Sequence, residues 1–283
     1  MILVTGATGS NGQEIVKQLV ESGQEVRILV RNPSKAISLE KLGVEIVAGD
    51  FADPQTLERA LQGVEKALLL TANSLQQVEH ERNFIDAANR ARTKHIVKFS
   101  AIGADLNSPI LILNWHAQAE QYLEQSGIAY THLRPTLFMQ NMLQFAPANQ
   151  TEVYLPFEDA AIAMVDIRDI AAVATTALTE NGHQGKIYQI TGAEALTMNQ
   201  VVDKISEVRS NPLKYVSISP EKFKQGLLEQ GQPEWFADAL TELFEPIVSG
   251  SQSRITTAIA DVAKKQPITF EQFTQDYSSA FRG

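Results

Sequence analysis

Residues 1–20 read MILVTGATGSNGQEIVKQLV. Ile2 to Val4 have the apolar, β-branched character of a short buried strand. Gly6, Gly9 and Gly12 follow at intervals of three. Ile15, Val16, Leu19 and Val20 then share one face of a helix that Gly23 ends. A strand, a glycine turn and a helix in direct succession make a phosphate cradle. The helix N-terminus presents unpaired amides and the positive end of its dipole. Glycines let the backbone turn tightly and approach a pyrophosphate with no Cβ between them. Residues 6–12, GATGSNG, therefore predict a dinucleotide site, and their place in the first βαβ unit makes that reading specific.

The same alternation continues downstream. Strands are expected at EVRILV, VEIVAG, KALLLT, HIVKFSA and AYTHLRP. Helices are expected around 34–42, in DPQTLERALQG, in QQVEHERNFIDAANRA and around 114–125. This rhythm predicts an α/β fold with a doubly wound, Rossmann-type parallel sheet covered on both faces. After Pro135 the rhythm breaks. Residues 1–150 read as the nucleotide-binding domain, with a helix and a strand returning to it around 160–192, and 193–283 as a smaller, mainly helical lobe. The lobe is expected over the C-terminal edge of the sheet, where open α/β sheets bind ligands.

Bulk properties exclude several classes. The chain has 283 residues, 44% hydrophobic and 20% charged, enough for a sizeable core. A net charge of -9 with no basic run argues against nucleic acid as a partner. The absence of cysteine removes disulfides and thiolate chemistry, and the five histidines show no metal-ligand spacing. No leader and no membrane span are expected, so the reading is a cytoplasmic protein.

The strand ends after the glycine turn refine the ligand. An NAD site carries an acidic residue at the end of the second strand, for the ribose 2′-hydroxyl. Here Arg31 stands there, with Lys35 nearby. A guanidinium suits a 2′-phosphate in charge and geometry, so NADP(H) is expected. After the third strand, Asp50 can accept from an adenine amino group and Phe51 can wall the ring, while Asp53 before Pro54 caps the next helix. Asp166 and Asp169, three apart at a helix start, read as caps and dipole partners, not as an acid/base pair.

VTGATGSNG, VRNPSK, GDFADP, KFSAIGA, LRPTLFMQN and VDIRDIAAVA occur in the order found in NmrA-like proteins of the atypical short-chain dehydrogenase/reductase superfamily. GQPEWFADAL and ITFEQFTQDY resemble that family's substrate lobe, so the resemblance spans nearly the whole chain. The family includes quinone, triphenylmethane-dye and phenylpropanoid reductases, and also NADP-binding regulators with no known turnover. The resemblance implies cofactor contacts at Gly6, Thr8, Gly9, Ser10, Asn11, Gly12, Arg31, Asp50, Phe51, Thr71, Ala72 and Asn73. Near the nicotinamide it implies Ser100, Ala101, Pro135, Thr136, Leu137 and Phe138.

Many members of the superfamily use Tyr-x-x-x-Lys, in which the tyrosine protonates a carbonyl. None of the six tyrosines here has a lysine four residues on. The matching stretch, 114–135, puts His116 and Glu120 at those positions, on one helical face. His116 reads either as a proton donor whose ordinary pKa suits neutral pH or as a structural polar residue. Glu120 reads as an orienter of that imidazole or of the lobe. Ser100, at the superfamily's serine position, is either catalytic or a partner of strand-end backbone groups. Trp115, Phe138, Tyr154 and Trp235 are candidate pocket walls, with a plain core role open for Trp115.

The missing pair points to an acceptor that needs little acid catalysis. Hydride addition to a quinone leaves a stabilised phenolate, and orientation then matters most. The sequence thus predicts an NADPH-dependent reductase of quinones or similar electron-poor aromatics. The alternative is an NADP(H)-sensing regulator that hands its redox state to a protein partner. A nucleotide-sugar epimerase is disfavoured, since its chemistry uses the missing pair.

Overall fold

The computed structural model describes residues 1–282. The strands are β1 (Ile2–Val4), β2 (Val26–Val30), β3 (Glu45–Ala48), β4 (Lys66–Leu69), β5 (His95–Phe99), β6 (Ala129–Pro135), β7 (Glu152–Leu155), β8 (Lys186–Ile190) and β9 (Lys214–Ser217). The helices of the first half are α1 (Ser10–Glu21), α2 (Ile37–Glu40), α3 (Pro54–Leu61), α4 (Gln77–Arg90) and α5 (Leu111–Gln125). Those that follow are α6 (Met142–Phe145), α7 (Ile167–Thr179), α8 (Met198–Glu207), α9 (Pro220–Glu229), α10 (Glu234–Glu242), α11 (Glu245–Val248), α12 (Ala258–Ala263), α13 (Phe270–Asp276) and α14 (Ser278–Arg282).

Seven strands form one parallel sheet in the order β3-β2-β1-β4-β5-β6-β8. This is the doubly wound Rossmann-type arrangement expected from the sequence, and the order reverses between β1 and β4. The two-residue side-chain period of the strands sorts the core. Ile2, Val4, Ile28, Val30, Leu68 and Val97 face α1, α7 and α12. Leu3, Leu29, Ala67, Leu69 and Ile96 face α3, α4 and α5. β5 is buried along its whole length, as a central parallel strand must be.

A second core does not divide from the first at residue 150. Met139, Met142, Val153, Phe157, Ile162 and Met164 pack with Leu196, Met198, Phe244, Phe270, Phe273 and Phe281. Residues 139–164 thus share their core with the C-terminal lobe. β7 and β9 form its own two-stranded parallel sheet. α12 returns the other way, placing Ile259 and Val262 in the first core. Neither exchange has a local signal, because each depends on which long-range apolar face a short segment finds.

Asp166 caps α7 by accepting from the Arg168 amide, as its position implies. Asp169 does more than favour the dipole. It is fully buried, accepts from the Ile268 amide at 2.7 Å and from Lys265 Nζ at 2.6 Å, and so fastens the C-terminal segment to α7.

Candidate functional site

The glycine turn holds the first part of the site. Gly6 sits at φ +63°, a left-handed conformation that glycine adopts without strain. Gly9 caps α1 with no side-chain oxygen, and no acidic residue occupies the first turn. The first amides of α1 therefore point at an open mouth with nothing in the chain to satisfy them. Asn11 Oδ1 beside them is buried without a partner. Orphan donors, with no Cβ at Gly6, Gly9 and Gly12, suit a pyrophosphate, while the Asn11 oxygen suits a donor elsewhere on the ligand.

From this turn a cavity of about 340 Å³ runs under the lobe. Its sheet side is lined by Asn11, Thr71, Asn73, Ser100, Ala101 and the Pro135 to Phe138 segment, residues that the sequence brought forward. His116 lines it from α5, together with Ile112. The ceiling is apolar: Phe145, Leu240, Leu243, Phe244 and Ile247. Sequence reasoning missed these. Their signal was the helical spacing of Leu240, Leu243, Phe244 and Ile247, which identifies an apolar face but not what it covers. Gln252, also missed, lines the cavity with a buried Oε1 that has no partner. Ser100 Oγ is buried and makes no hydrogen bond to strand-end backbone groups; it lies beside the Glu120 carboxylate, which it helps to hold below its ordinary value.

Other candidates lie away from the cavity. Arg31 and Lys35 are exposed beside the end of β2, and neither is in an ion pair among the described residues. Asp53 caps α3 and the Asp50 carboxylate accepts from the Ala52 amide. Phe51 stacks on His80 with ring centres 6.1 Å apart. Trp115 and Trp235 pack on each other at 6.2 Å in a small core between α5 and α10. They wedge the lobe against the sheet domain and do not wall the cavity. Nor does Tyr154 wall the cavity: it stands exposed on β7, its hydroxyl donating to Glu152.

Two expectations about His116 change. Burial, together with the Lys98 and Arg134 charges, holds its imidazole well below the usual histidine value. Burial and both cations disfavour the charged form, which weighs against an imidazolium donor. Nor does Glu120 orient it. Glu120 is paired with Arg134, whose Nε donates to Oε1 at 3.0 Å. Burial pushes the Glu120 carboxyl up, but Arg134, the His132 charge and the Ser100 hydroxyl together outweigh it and hold it below its ordinary value. Among the described residues, no cluster of three His, Asp or Glu side chains could hold a metal ion.

The model of the NmrA-like family matches residues 1–274. The chain belongs to the NmrA-like family. It is 37% identical over 283 residues to an NAD(P)H azoreductase of Xenophilus azovorans, covering 99% of each chain. Its fold superposes on the NADPH-dependent quinone oxidoreductase of Escherichia coli, solved with NADPH, with a TM-score of 0.88 and 30% identity over 98% of this chain and 99% of that one. Triphenylmethane reductase from Citrobacter sp., solved with NADP(H), gives a TM-score of 0.86 at 26% identity, covering 97% of this chain and 99% of that one. No described helix is long and apolar enough to cross a membrane.

Proposed function

We propose that this protein is an NADPH-dependent reductase of quinones and similarly flat, electron-poor conjugated compounds such as dyes. The observation that carries the reading is the cavity itself. One end meets the glycine turn and the β5 and β6 strand ends, and the other is roofed by phenylalanine, leucine and isoleucine. The named relatives are reductases, which weighs against the regulator alternative.

The turn at Gly6, Gly9 and Gly12 and the first amides of α1 hold the pyrophosphate. Arg31 and Lys35 take the 2′-phosphate, and Asp50 and Phe51 border the adenine. Thr71, Ala72 and Asn73 line the ribose, while Ser100, Ala101 and Pro135 to Phe138 set the nicotinamide end. NADPH, when bound, supplies the hydride. The apolar roof orients a flat acceptor and keeps bulk water away, which is most of what such an acceptor needs. A small-molecule substrate and a cytoplasmic location, where NADPH is at hand, complete the reading.

Two measurements test it. NADPH oxidation followed by absorbance should be saturable with at least one class in a panel of quinones, azo dyes and cationic dyes. Clear NADPH binding with no turnover across the panel would return the weight to a regulator. Arg31→Glu should weaken NADPH by about 10- to 100-fold and leave NADH within a few-fold, since only NADPH presents a 2′-phosphate. Equal loss of both would remove Arg31 from cofactor choice.

A further inference from the structure

Behind the cavity wall lies a charged cluster that the reading above does not use. Lys98 is on the face of β5 turned toward α4 and α5, and it is fully buried. Its Nζ lies 2.7 Å from Glu81 Oε2, and Glu81 is also fully buried. Thr71 Oγ1 donates to Glu81 Oε1 at 2.6 Å, and Gln77 Nε2 donates to the same oxygen at 3.3 Å. A buried ion pair gains little stability over apolar side chains of the same size, so its retention here invites a role other than stability.

The cluster ends on His116. Lys98 Nζ is 3.3 Å from His116 Nδ1, and Gln77 Nε2 is 3.4 Å from the same atom. An ammonium has donors only, so Nδ1 must accept. The Gln77 amide agrees: turned over, its oxygen would face Glu81 Oε1 and a lone pair on Nδ1. With Nδ1 accepting, the ring hydrogen of a neutral imidazole sits on Nε2, and His116 lines the cavity.

We infer that His116 serves the cavity as a neutral hydrogen-bond donor through Nε2–H, its tautomer set by Lys98 and Gln77, which Glu81 and Thr71 hold in place. Lys98 and Gln77 are positioning residues. Lys98 reaches the ring from β5, on its Nδ1 side and away from the cavity lining. The charged groups facing the imidazole are Lys98 from β5, Glu81 from α4, Arg134 from β6 and Glu120 from its own helix. Both cations oppose its protonation.

The use of this donor rests on the reductase reading. A quinone takes one hydride, with its electron pair, and one oxygen becomes a phenolate. The Nε2–H bond to that oxygen strengthens as the charge develops. A proton from water then completes the hydroquinone, and His116 ends as it began. A neutral donor of this kind does not switch off as pH rises through the usual histidine range.

The tautomer is tested directly by ¹⁵N–¹H correlation spectra of histidine-labelled protein without substrate, with His116 assigned by loss of its signals in His116→Gln. The expected result is one Nε2–H tautomer, unchanged from about pH 5.5 to 8. An imidazolium in that range, or an Nδ1–H tautomer, overturns the proposal. Lys98→Met with Glu81→Gln removes both charges together and so avoids an orphaned ion. In that protein the His116 signals should move toward a mixture of tautomers, and kcat should fall about 10- to 100-fold with the KM for NADPH little changed. An unaltered tautomer would remove Lys98 from the role. Among single variants, His116→Gln, which keeps a neutral donor, should retain at least about ten times the kcat of His116→Ala. Should no acceptor be turned over at all, the reductase reading fails while the spectra still decide the tautomer.

Discussion

Gly12→Val abolishes NADPH binding and destabilises the fold. A Cβ at Gly12 would lie 2.2 Å from the Gly6 carbonyl oxygen, 2.7 Å from its carbon and 2.8 Å from Ala7 Cα. All three are backbone atoms of the turn, so no side chain can rotate away. The turn is also packed close to the end of β4, where a Cβ added at Gly6 would meet the Leu70 side chain at 2.7 Å and its carbonyl oxygen at 2.8 Å. Either α1 lifts from the sheet or the cradle opens, and both spoil the aim of the α1 amides. Expected effects are a loss of NADPH affinity beyond about 100-fold and of stability by about 2–4 kcal/mol. Gly9→Ala is the control for stability alone, since Gly9 itself borders the pyrophosphate. Its Cβ would meet only the Gly6 oxygen, at 3.5 Å, and its φ of −84° suits any residue. Calorimetric titration and thermal unfolding of both variants check this, and wild-type affinity in Gly12→Val would refute the cradle.

Stability falls steeply as pH drops from about 6.5 to 4, through two buried histidines of the sheet. Burial, with the Lys66 and His183 charges, lowers His95 to about 4. Burial, with the Lys98 and Arg134 charges, lowers His132 to about 4, although Glu120 pulls the other way. Geometry agrees. His95 Nε2 pairs with Thr131 Oγ1 at 2.9 Å and His132 Nε2 with Glu124 at 3.1 Å; the His132 Nδ1 is buried without a partner, and for His95 only a backbone bond to Tyr130 works against the effect of burial. The sign follows from proton uptake. Between these values the unfolded chain binds a proton at each site and the folded chain does not, so acid favours unfolding. Each site contributes roughly 3 kcal/mol that is intact above about pH 6.5 and gone near 4. Denaturant unfolding at intervals from pH 7 to 4 measures it. In His95→Gln/His132→Gln the slope should flatten, and an unchanged slope would move the cause elsewhere.

How far such features can be read ahead depends on the range of the interaction. The glycine turn was legible because it is local: backbone freedom, a strand before and a helix after all lie within the first 21 residues. Asp166 and Asp53 were legible as caps for the same reason. Lys98 was hidden inside HIVKF, which reads only as a buried strand. Its partners, Glu81 and His116, lie 17 residues before it and 18 after it. The spacing of His116 and Glu120 placed both on α5, yet pairing of Glu120 with Arg134 was decided by β6 lying alongside.

By itself the sequence determined the parallel sheet, the glycine turn at Gly6 to Gly12, the basic residue at the end of β2 and the want of a Tyr-Lys pair. Each is written in contiguous residues, where local geometry and side-chain periodicity act directly. Tertiary structure alone decided the apolar roof, the sharing of residues 139–164 with the lobe, and the burial of His116 beside Lys98. Those depend on which distant groups exclude water from one another, and desolvation and pairing are set by the packed whole.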